Sequence, residues 1–364
     1  MIEIIAYSAI VFLGIRLAVV FSNVIFHYTS QNRWRTEDPF VSVLIPARNE
    51  ESNIGNLLDC LLKQDYKNTE IIICDDGSTD NTAGILKEYC EKNKKISWFK
   101  GRSLPEGWTG KNFACHQLSE KANGDLFLFL DADMKISGDI IAFTAGYLEK
   151  KKLSLLSIFP KQLTLSRGER VTVPLMNWIL LSLLPLPLVV FCKWPIFSAA
   201  NGQFMFFKAD HYRKLKCHKM VKSSPVEDIQ IMKMLKKKKY RVVTQLGDDR
   251  VVCRMYDNYS EAVTGFSKNI FHFFSNSYVW TSFFVFFTST GIVFVALWSA
   301  KFALLYFSIT LLLRILISVI SYQNIAFNLF YIPVQHFAFL NIISKALKNR
   351  QKGDLVWKER KIPI

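Results

Sequence analysis

The sequence contains no Cys-x-x-Cys pair and no spacing of cysteine and histidine that matches a zinc module. Its seven cysteines, Cys60, Cys74, Cys90, Cys115, Cys192, Cys217 and Cys253, are an odd set and read as reduced core or interface residues on a reducing side, normally the cytoplasm. His211 with Cys217 and His218 comes nearest to a ligand cluster, but surface or core roles suit these residues better. Acidic residues are few: 30 Asp and Glu stand against 46 Lys and Arg, a formal net charge of +16. Such an excess suits nucleic acid, anionic lipid or the cytoplasmic flanks of membrane spans. No nucleic-acid module accompanies the basic clusters at Lys92–Lys95, Lys150–Lys152, Arg213–Lys222, Lys236–Lys239 and Lys345–Lys361. The last cluster directly follows hydrophobic sequence, so a membrane is expected as partner and nucleic acid is not. The start of the chain also lacks a basic region and a small-residue cleavage site, so its apolar stretch reads as an uncleaved anchor.

Hydrophobic residues, by contrast, make up half of the 364 residues, and 30 of them are Phe. That length allows one catalytic domain of about 200 to 250 residues plus several apolar segments. Ile2 to Phe26 is broken only by Glu3, Gly14, Arg16, Ser22 and Asn23 and is long enough to span a bilayer. Arg33 and Arg35 follow it, which predicts an outside N-terminus and a cytoplasmic catalytic domain. Two further spans are predicted at Tyr278–Trp298 and Phe302–Ile320, the second carrying Arg314, which is costly in lipid and expected to face the bundle. The shorter stretch Phe327–Ile343 contains Pro333, Gln335 and His336. Spanning would place the basic tail outside, so it is expected in the interface.

From Pro39 to about Met255, short β-branched runs alternate with amphipathic helices, the pattern of a layered α/β domain with a mostly parallel sheet. Strands are predicted at Val41–Ile45, Glu70–Cys74, Ile96–Phe99, Asp125–Leu130, Leu155–Phe159, Gln203–Phe207 and Arg241–Gln245. Between the first two, Ile54, Leu57, Leu58, Leu61 and Leu62 recur at helical spacing behind a Ser52 or Asn53 cap. Val171–Ala200 interrupts the pattern: it is strongly apolar but divided by Pro174, Pro185, Pro187 and Pro195. One or two helices lying in the membrane interface are expected there, with a broken span as the alternative. The boundaries predicted are an anchor at 1–28, an α/β domain at 39–270 with an interfacial insertion at 171–200, membrane helices at 271–345 and a basic cytoplasmic tail at 346–364.

The strongest chemical signal is the apolar run Leu126–Leu130 ending in Asp131-Ala-Asp133. On extended chain the two carboxylates point to one side and can share a hard cation such as Mg2+ or Mn2+, which would bridge to a diphosphate. A lone pair of this kind is by default two solvated turn residues. Other strand ends add to it. Ile71–Cys74 leads into Asp75-Asp76-Gly77-Ser78, where one aspartate can accept from a base or ribose and the other cap the turn. Ile45 leads into Pro46-Ala47-Arg48-Asn49-Glu50. Each alone reads as a helix-entry turn; three on one sheet edge outline a nucleotide pocket.

These three segments, with Gly107-Trp-Thr-Gly-Lys111-Asn112 and Val226-Glu227-Asp228, resemble the successive donor-site motifs of family 2 glycosyltransferases, which have the GT-A fold. The Gly-Trp-x-Gly-Lys segment, the flanking spans and Val356-Trp357-Lys358 look most like membrane glycosyltransferases of bacterial carotenoid and related terpenoid lipids. The resemblance implies a GT-A-type sheet flanked by helices. It also implies donor contacts from Pro46, Ala47, Arg48, Glu50, Asp75, Asp76, Lys111 and Asp131, a metal on Asp131 and Asp133, and Asp228 as catalytic base with Glu227 as runner-up. Glu227 and Asp228 otherwise read as helix-start acids that suit the dipole. No Gln-x-x-Arg-Trp segment follows Asp228, which favours transfer of one sugar over polymer synthesis; Arg254 and Lys268 are candidates for the phosphate contacts. The expected activity is inverting, metal-dependent transfer of a hexose, with UDP-glucose as donor, to a carotenoid or terpenoid lipid. The alternative acceptors are a polyprenyl phosphate or a glycerolipid. The expected location is a bacterial-type plasma membrane.

Overall fold

The computed structural model describes residues 1–30, 34–36, 38–352, 356–357 and 360–361; Arg33 and Lys358 lie outside the described residues. Up to Cys253 its strands in chain order are β1 (Val41–Ala47), β2 (Thr69–Asp75), β3 (Ile96–Lys100), β4 (Leu126–Leu130), β5 (Met134–Ile136), β6 (Leu155–Phe159), β7 (Lys161–Gln162), β8 (Phe204–Lys208), β9 (Val242–Leu246) and β10 (Val251–Cys253); a short pair, Val356–Trp357 with Arg360–Lys361, follows near the C-terminus. The seven predicted strands are all present. The additional β5, β7 and β10 are two or three residues long, too short to leave a periodic signature. The chain divides into two compact units. One comprises 30–161, 189–254 and 355–364; the other comprises 1–29, 162–188 and 255–354. The segment 162–188 and the helix Tyr259–Asn269 group with the N-terminal helix.

The first unit is built on a seven-stranded sheet of order β3-β2-β1-β4-β8-β6-β9. β1 pairs in parallel with β2 and β4, and β2 with β3. β8 runs antiparallel between β4 and β6, and β9 pairs in parallel with β6. Helices such as Ile54–Leu62 and Gly110–Lys121 cover the faces. This is why β4 (LFLFL) is apolar at every position instead of alternating. The register fixes which loops meet: Ala47 lies opposite Asp75, and Leu44 opposite Phe129, so the turns after β1, β2 and β4 emerge at one edge. β8 enters from that same edge because it is antiparallel, with Phe204 opposite Leu130. The lead-in Asn201–Gln203 is thereby placed beside Asp131, whose amide donates to the Gln203 carbonyl at 3.1 Å.

Among the described residues, the second unit contains three helices long and apolar enough to cross a membrane: Ile2–Thr29, Tyr278–Trp298 and Ala300–Ile320. Their outward positions are apolar, including Ile4, Val11, Ile15, Val279, Trp280, Leu297 and Leu304, and Phe12 packs its edge on Phe283 and Phe284. The proline-divided stretch forms three short helices, Arg167–Thr172, Pro174–Leu183 and Leu186–Phe191. At about 1.5 Å per residue, none reaches across a hydrocarbon core of about 30 Å. Asn23, fully buried in the first helix, repairs the break at Pro185: its amide donates to the carbonyls of Leu181 (2.8 Å) and Leu184 (3.0 Å), and its oxygen accepts from the Leu186 amide (2.6 Å). Backbone groups freed by a proline in an apolar setting need such a partner. The stretch after Ile320 is two helices, Ile325–Phe330 and Ile332–Lys352.

One glycine at the base of β4 has no room for a side chain. A Cβ on Gly124 would lie 2.6 Å from the Ser42 amide and 2.8 Å from the Phe40 carbonyl, both backbone atoms. Gly124→Ala is therefore expected to destabilise the protein by about 1–3 kcal/mol, measured as a lower Tm or denaturant midpoint; an unchanged midpoint would show that this turn yields freely.

Candidate active site

The ammonium of Lys111 is the centre of the polar edge. It lies 2.7 Å from Asp131 Oδ1 and 2.8 Å from Oδ2, 3.4 Å from Glu227 Oε1, and donates to the Gly202 carbonyl at 3.4 Å. Three elements thus converge on one cation: the end of β4, the approach to β8, and the first turn of helix Glu227–Lys237. Lys111 itself stands in the first turn of helix Gly110–Lys121, which is capped by the Thr109 hydroxyl. Burial alone would favour the neutral amine, but the charges of Asp131 and Glu227 outweigh it and hold the amine well above the usual lysine range.

Asp228 is held differently. Its Oδ2 accepts from the Gly202 amide at 3.0 Å and its Oδ1 from the Ile229 amide at 2.7 Å. Each oxygen has one backbone donor, so the carboxyl is oriented without a counter-cation. Burial, then the neighbouring charge of Glu227, raises its pKa to about 7, against smaller opposing contributions from the Ile229 amide and Lys111. That value lies close to neutral pH, where a carboxylate exchanges protons most usefully.

Asp133 lies on the other side of Asp131. Its Oδ2 accepts from Gln203 Nε2 and from the Cys253 thiol, each at 3.4 Å, while its Oδ1 is buried and has no hydrogen-bond partner. Burial, then the charge of Asp131, raises it to about 6, with Glu50 adding in the same direction. The Cys253 thiol is pushed well above its usual range, by burial first and by Asp133 second, so it remains a donor. An orphaned buried carboxylate oxygen two residues beyond a second carboxylate fits a hard divalent cation. Among the described residues no group of three His, Cys, Asp or Glu forms a complete metal site; the remaining ligands of a cation here would be phosphate oxygens and water.

At the neighbouring strand ends the residues form linked turns. The amide of Ser78 donates to Asp75 Oδ1 at 2.9 Å, so Asp75 caps its own turn. Gly77 and Asn49 adopt left-handed backbone, with φ of 74° and 52°. Arg48 donates to the Asp76 carbonyl at 3.0 Å, and the Glu50 carboxylate accepts from Asn53 at 2.9 Å. Pro46 and Ala47 are the last residues of β1, opposite Cys74 and Asp75. Arg254 directly follows β10, whose Cys253 reaches Asp133. Lys268 belongs to helix Tyr259–Asn269 in the membrane-helix unit, where burial and then Lys345 hold it below the usual lysine range.

Four contributors escaped sequence reasoning as site residues. Gly202, Gln203 and Cys253 carry no motif and enter only through the antiparallel strand and the short β10. Asn112 was visible in the Gly107–Asn112 segment but without a role: fully buried, it donates to the carbonyls of Val221 (2.9 Å), Lys222 (3.2 Å) and Ser224 (3.0 Å), fixing the loop that delivers Glu227 and Asp228.

Residues 42–210 match the model of glycosyl transferase family 2. A 4,4'-diaponeurosporenoate glycosyltransferase of Staphylococcus haemolyticus is 26% identical over 240 residues, covering 63% of this chain and 60% of that one. A beta-monoglucosyldiacylglycerol synthase of Nostoc sp. is 30% identical over 122 residues, covering 33% of this chain and 26% of that one. The chain therefore spans less than two thirds of the curated relatives it matches. In fold it is similar to the mannosyltransferase PcManGT from Pyrobaculum calidifontis in complex with GDP-Man and Mn2+, with a TM-score of 0.57, 15% identity and coverage of 96% and 100%.

Gly202 offers a test of the site that leaves the fold alone. A Cβ there would meet Glu227 Oε1 at 2.9 Å and Lys111 Nζ at 3.0 Å, both the ends of flexible side chains. Gly202→Ala is expected to change Tm little while lowering turnover at least about tenfold, roughly 1.4 kcal/mol in the barrier, because it displaces the lysine and both acids it organises. Unchanged kcat would show that their placement is not critical.

Proposed function

We propose that this chain acts as a family 2 glycosyltransferase that transfers one hexose from a nucleotide sugar, with UDP-glucose as donor, to the hydroxyl or carboxyl of a carotenoid- or terpenoid-type membrane lipid, inverting the anomeric centre. The observation that carries this reading is the separation of roles around Gly202: a lysine bound to Asp131 and Glu227 on one side, and on the other Asp228, held by backbone amides with a pKa near 7. The lipid acceptor is supported by the three membrane-length helices and by the names of the two relatives. The basic residue Arg35, which follows the first apolar helix, supports a catalytic unit on the cytoplasmic face.

In the proposed reaction Asp228 removes the proton of the acceptor hydroxyl as its oxygen bonds to the anomeric carbon, and the bond from that carbon to the β-phosphate oxygen breaks, the electron pair leaving with the diphosphate. A single base with no covalent nucleophile gives inversion. Lys111 neutralises charge at the Asp131 edge, where the diphosphate would lie. Asp76 and Glu50 orient the nucleoside, Asp75 being used in its own turn, and Arg254 follows the strand that supports Asp133. Asp133, with Asp131, would hold Mn2+ or Mg2+, whose contribution is to stabilise negative charge on the leaving diphosphate.

Asp228 acts in its deprotonated form, so kcat is expected to fall about tenfold per pH unit below about 7 and to level above it. Asp228→Asn should lower turnover by about 10²–10⁴ with a hydroxyl acceptor and remove that acidic limb. A polyprenyl phosphate or an ionised lipid carboxylate needs no base, so substantial activity in Asp228→Asn would select an anionic acceptor and overturn the role of Asp228. The test is detergent-purified protein with labelled nucleotide sugars and lipid extract, read by mass analysis of labelled lipid. Separately, Asp133→Ala is expected to abolish Mn2+ binding measured by calorimetry or electron paramagnetic resonance, and product formation with it; retained Mn2+ affinity would place the metal elsewhere.

A further inference from the structure

Two guanidinium groups are buried in the membrane-helix unit with no acid to neutralise them. Arg16, on the first membrane-length helix, is 4% exposed, and Arg314, on the last, is 3% exposed. Both lie on the indole of Trp178, with Cζ 5.0 Å and 4.1 Å from the ring centroid. Arg16 donates through Nε and Nη2 to a single acceptor, the Ser182 hydroxyl, at 3.2 and 3.0 Å. Arg314 donates through Nη1 to Gln335 Oε1 at 2.9 Å, and its Nε and Nη2 are buried without a partner. Among the described residues neither guanidinium has a carboxylate partner.

The surroundings are built to keep these donors in place. Gln335 Nε2 donates to the Arg170 carbonyl at 3.2 Å and to Asn328 Oδ1 at 3.4 Å, which turns its oxygen toward Arg314. Asn328 is fixed in turn by Ser318 and Gln323. Phe284 and Phe339 pack their rings on Trp178. Charge buried in apolar surroundings is costly and, when retained, marks a functional site, and an uncompensated buried ion weakens the fold far more than a paired one. A planar guanidinium with two idle donors matches the oxygens of a carboxylate or phosphate.

We propose that Arg16 and Arg314 form an anion site within the membrane-helix unit for the acid headgroup of an amphiphile, a carboxylate or phosphate on a long apolar chain. Nε and Nη2 of Arg314 would bind the headgroup oxygens, Arg16 would supply the second positive charge, and the aromatic residues around Trp178 would contact the first part of the chain. The site is independent of which sugar or acceptor the catalytic unit uses.

The test uses delipidated full-length protein in non-ionic detergent, titrated with palmitate, phosphatidylglycerol, cetyl alcohol and inorganic phosphate. Binding is read as the rise in Tm and, by native mass spectrometry, as retained adducts. Saturable stabilisation by palmitate or phosphatidylglycerol is expected, the stronger of the two identifying the headgroup, with cetyl alcohol and inorganic phosphate at least tenfold weaker. Arg314→Met should lose the shift at least tenfold while its unliganded Tm stays equal to or above that of the parent. Arg314→Lys, which keeps the charge but not the fork, should bind several-fold more weakly and serves if the methionine variant does not fold. Equal stabilisation by the alcohol, an equal effect of inorganic phosphate alone, or undiminished binding in either variant would overturn the proposal.

Discussion

The site depends on one cation placed among acids. Without Lys111, the carboxylates of Asp131 and Glu227 would share this edge with no positive charge between them. Like charges held on one edge repel. The lysine offsets this repulsion and also ties β4 to the helix that begins at Glu227. It reaches that position because Thr109 caps its helix and because Asn112, one residue later, binds the loop ahead of Glu227. Adjacent residues of one helical turn therefore do two jobs: one neutralises the acids, the other fixes where one of them stands.

The adjacent acids Glu227 and Asp228 acquire different environments from this arrangement. Glu227 takes the lysine contact; Asp228 takes two backbone amides and experiences the charge of Glu227 as an added penalty. Environments that push neighbouring titratable groups apart are what distinguish an acid–base residue from an electrostatic one. The raised value of Asp228 thus arises from the division of partners more than from any property of aspartate at a helix start.

Much of the catalytic unit was legible because its signals are local. A fully apolar run with a polar end specifies a buried strand and the residue just beyond it, so β1, β2 and β4 and the positions of Glu50, Asp75–Asp76 and Asp131–Asp133 at their ends could be placed in order from the sequence. What was illegible depends on pairing. That β8 runs antiparallel beside β4 follows from tertiary register and has no trace in the alternation of Phe204–Lys208; without that register Gly202 and Gln203 are two ordinary loop residues. Cys253 reaches Asp133 only because a three-residue strand, too short to show a period, pairs with β5. Likewise, contacts assign 162–188 to the membrane-helix unit although the segment lies between strands of the other unit in sequence.

The unit that holds the three membrane-length helices shows the same requirement in more apolar surroundings. At Pro185 the freed backbone groups are met one for one by Asn23, whose amide and oxygen together satisfy two carbonyls and an amide. Ser318, Asn328 and Gln335 form a chain in which each donor has an acceptor. Against that standard the two idle donors of Arg314 stand out, because Gln335 and Asn328 beside them are bonded through both ends of their amides and fixed in orientation. A unit that spends an asparagine on a single helix break would gain stability from replacing Arg314 with an apolar side chain if the charge had no partner. The unfilled donors thus argue for an occupant, and the apolar surroundings argue that its charge is carried on a hydrocarbon chain.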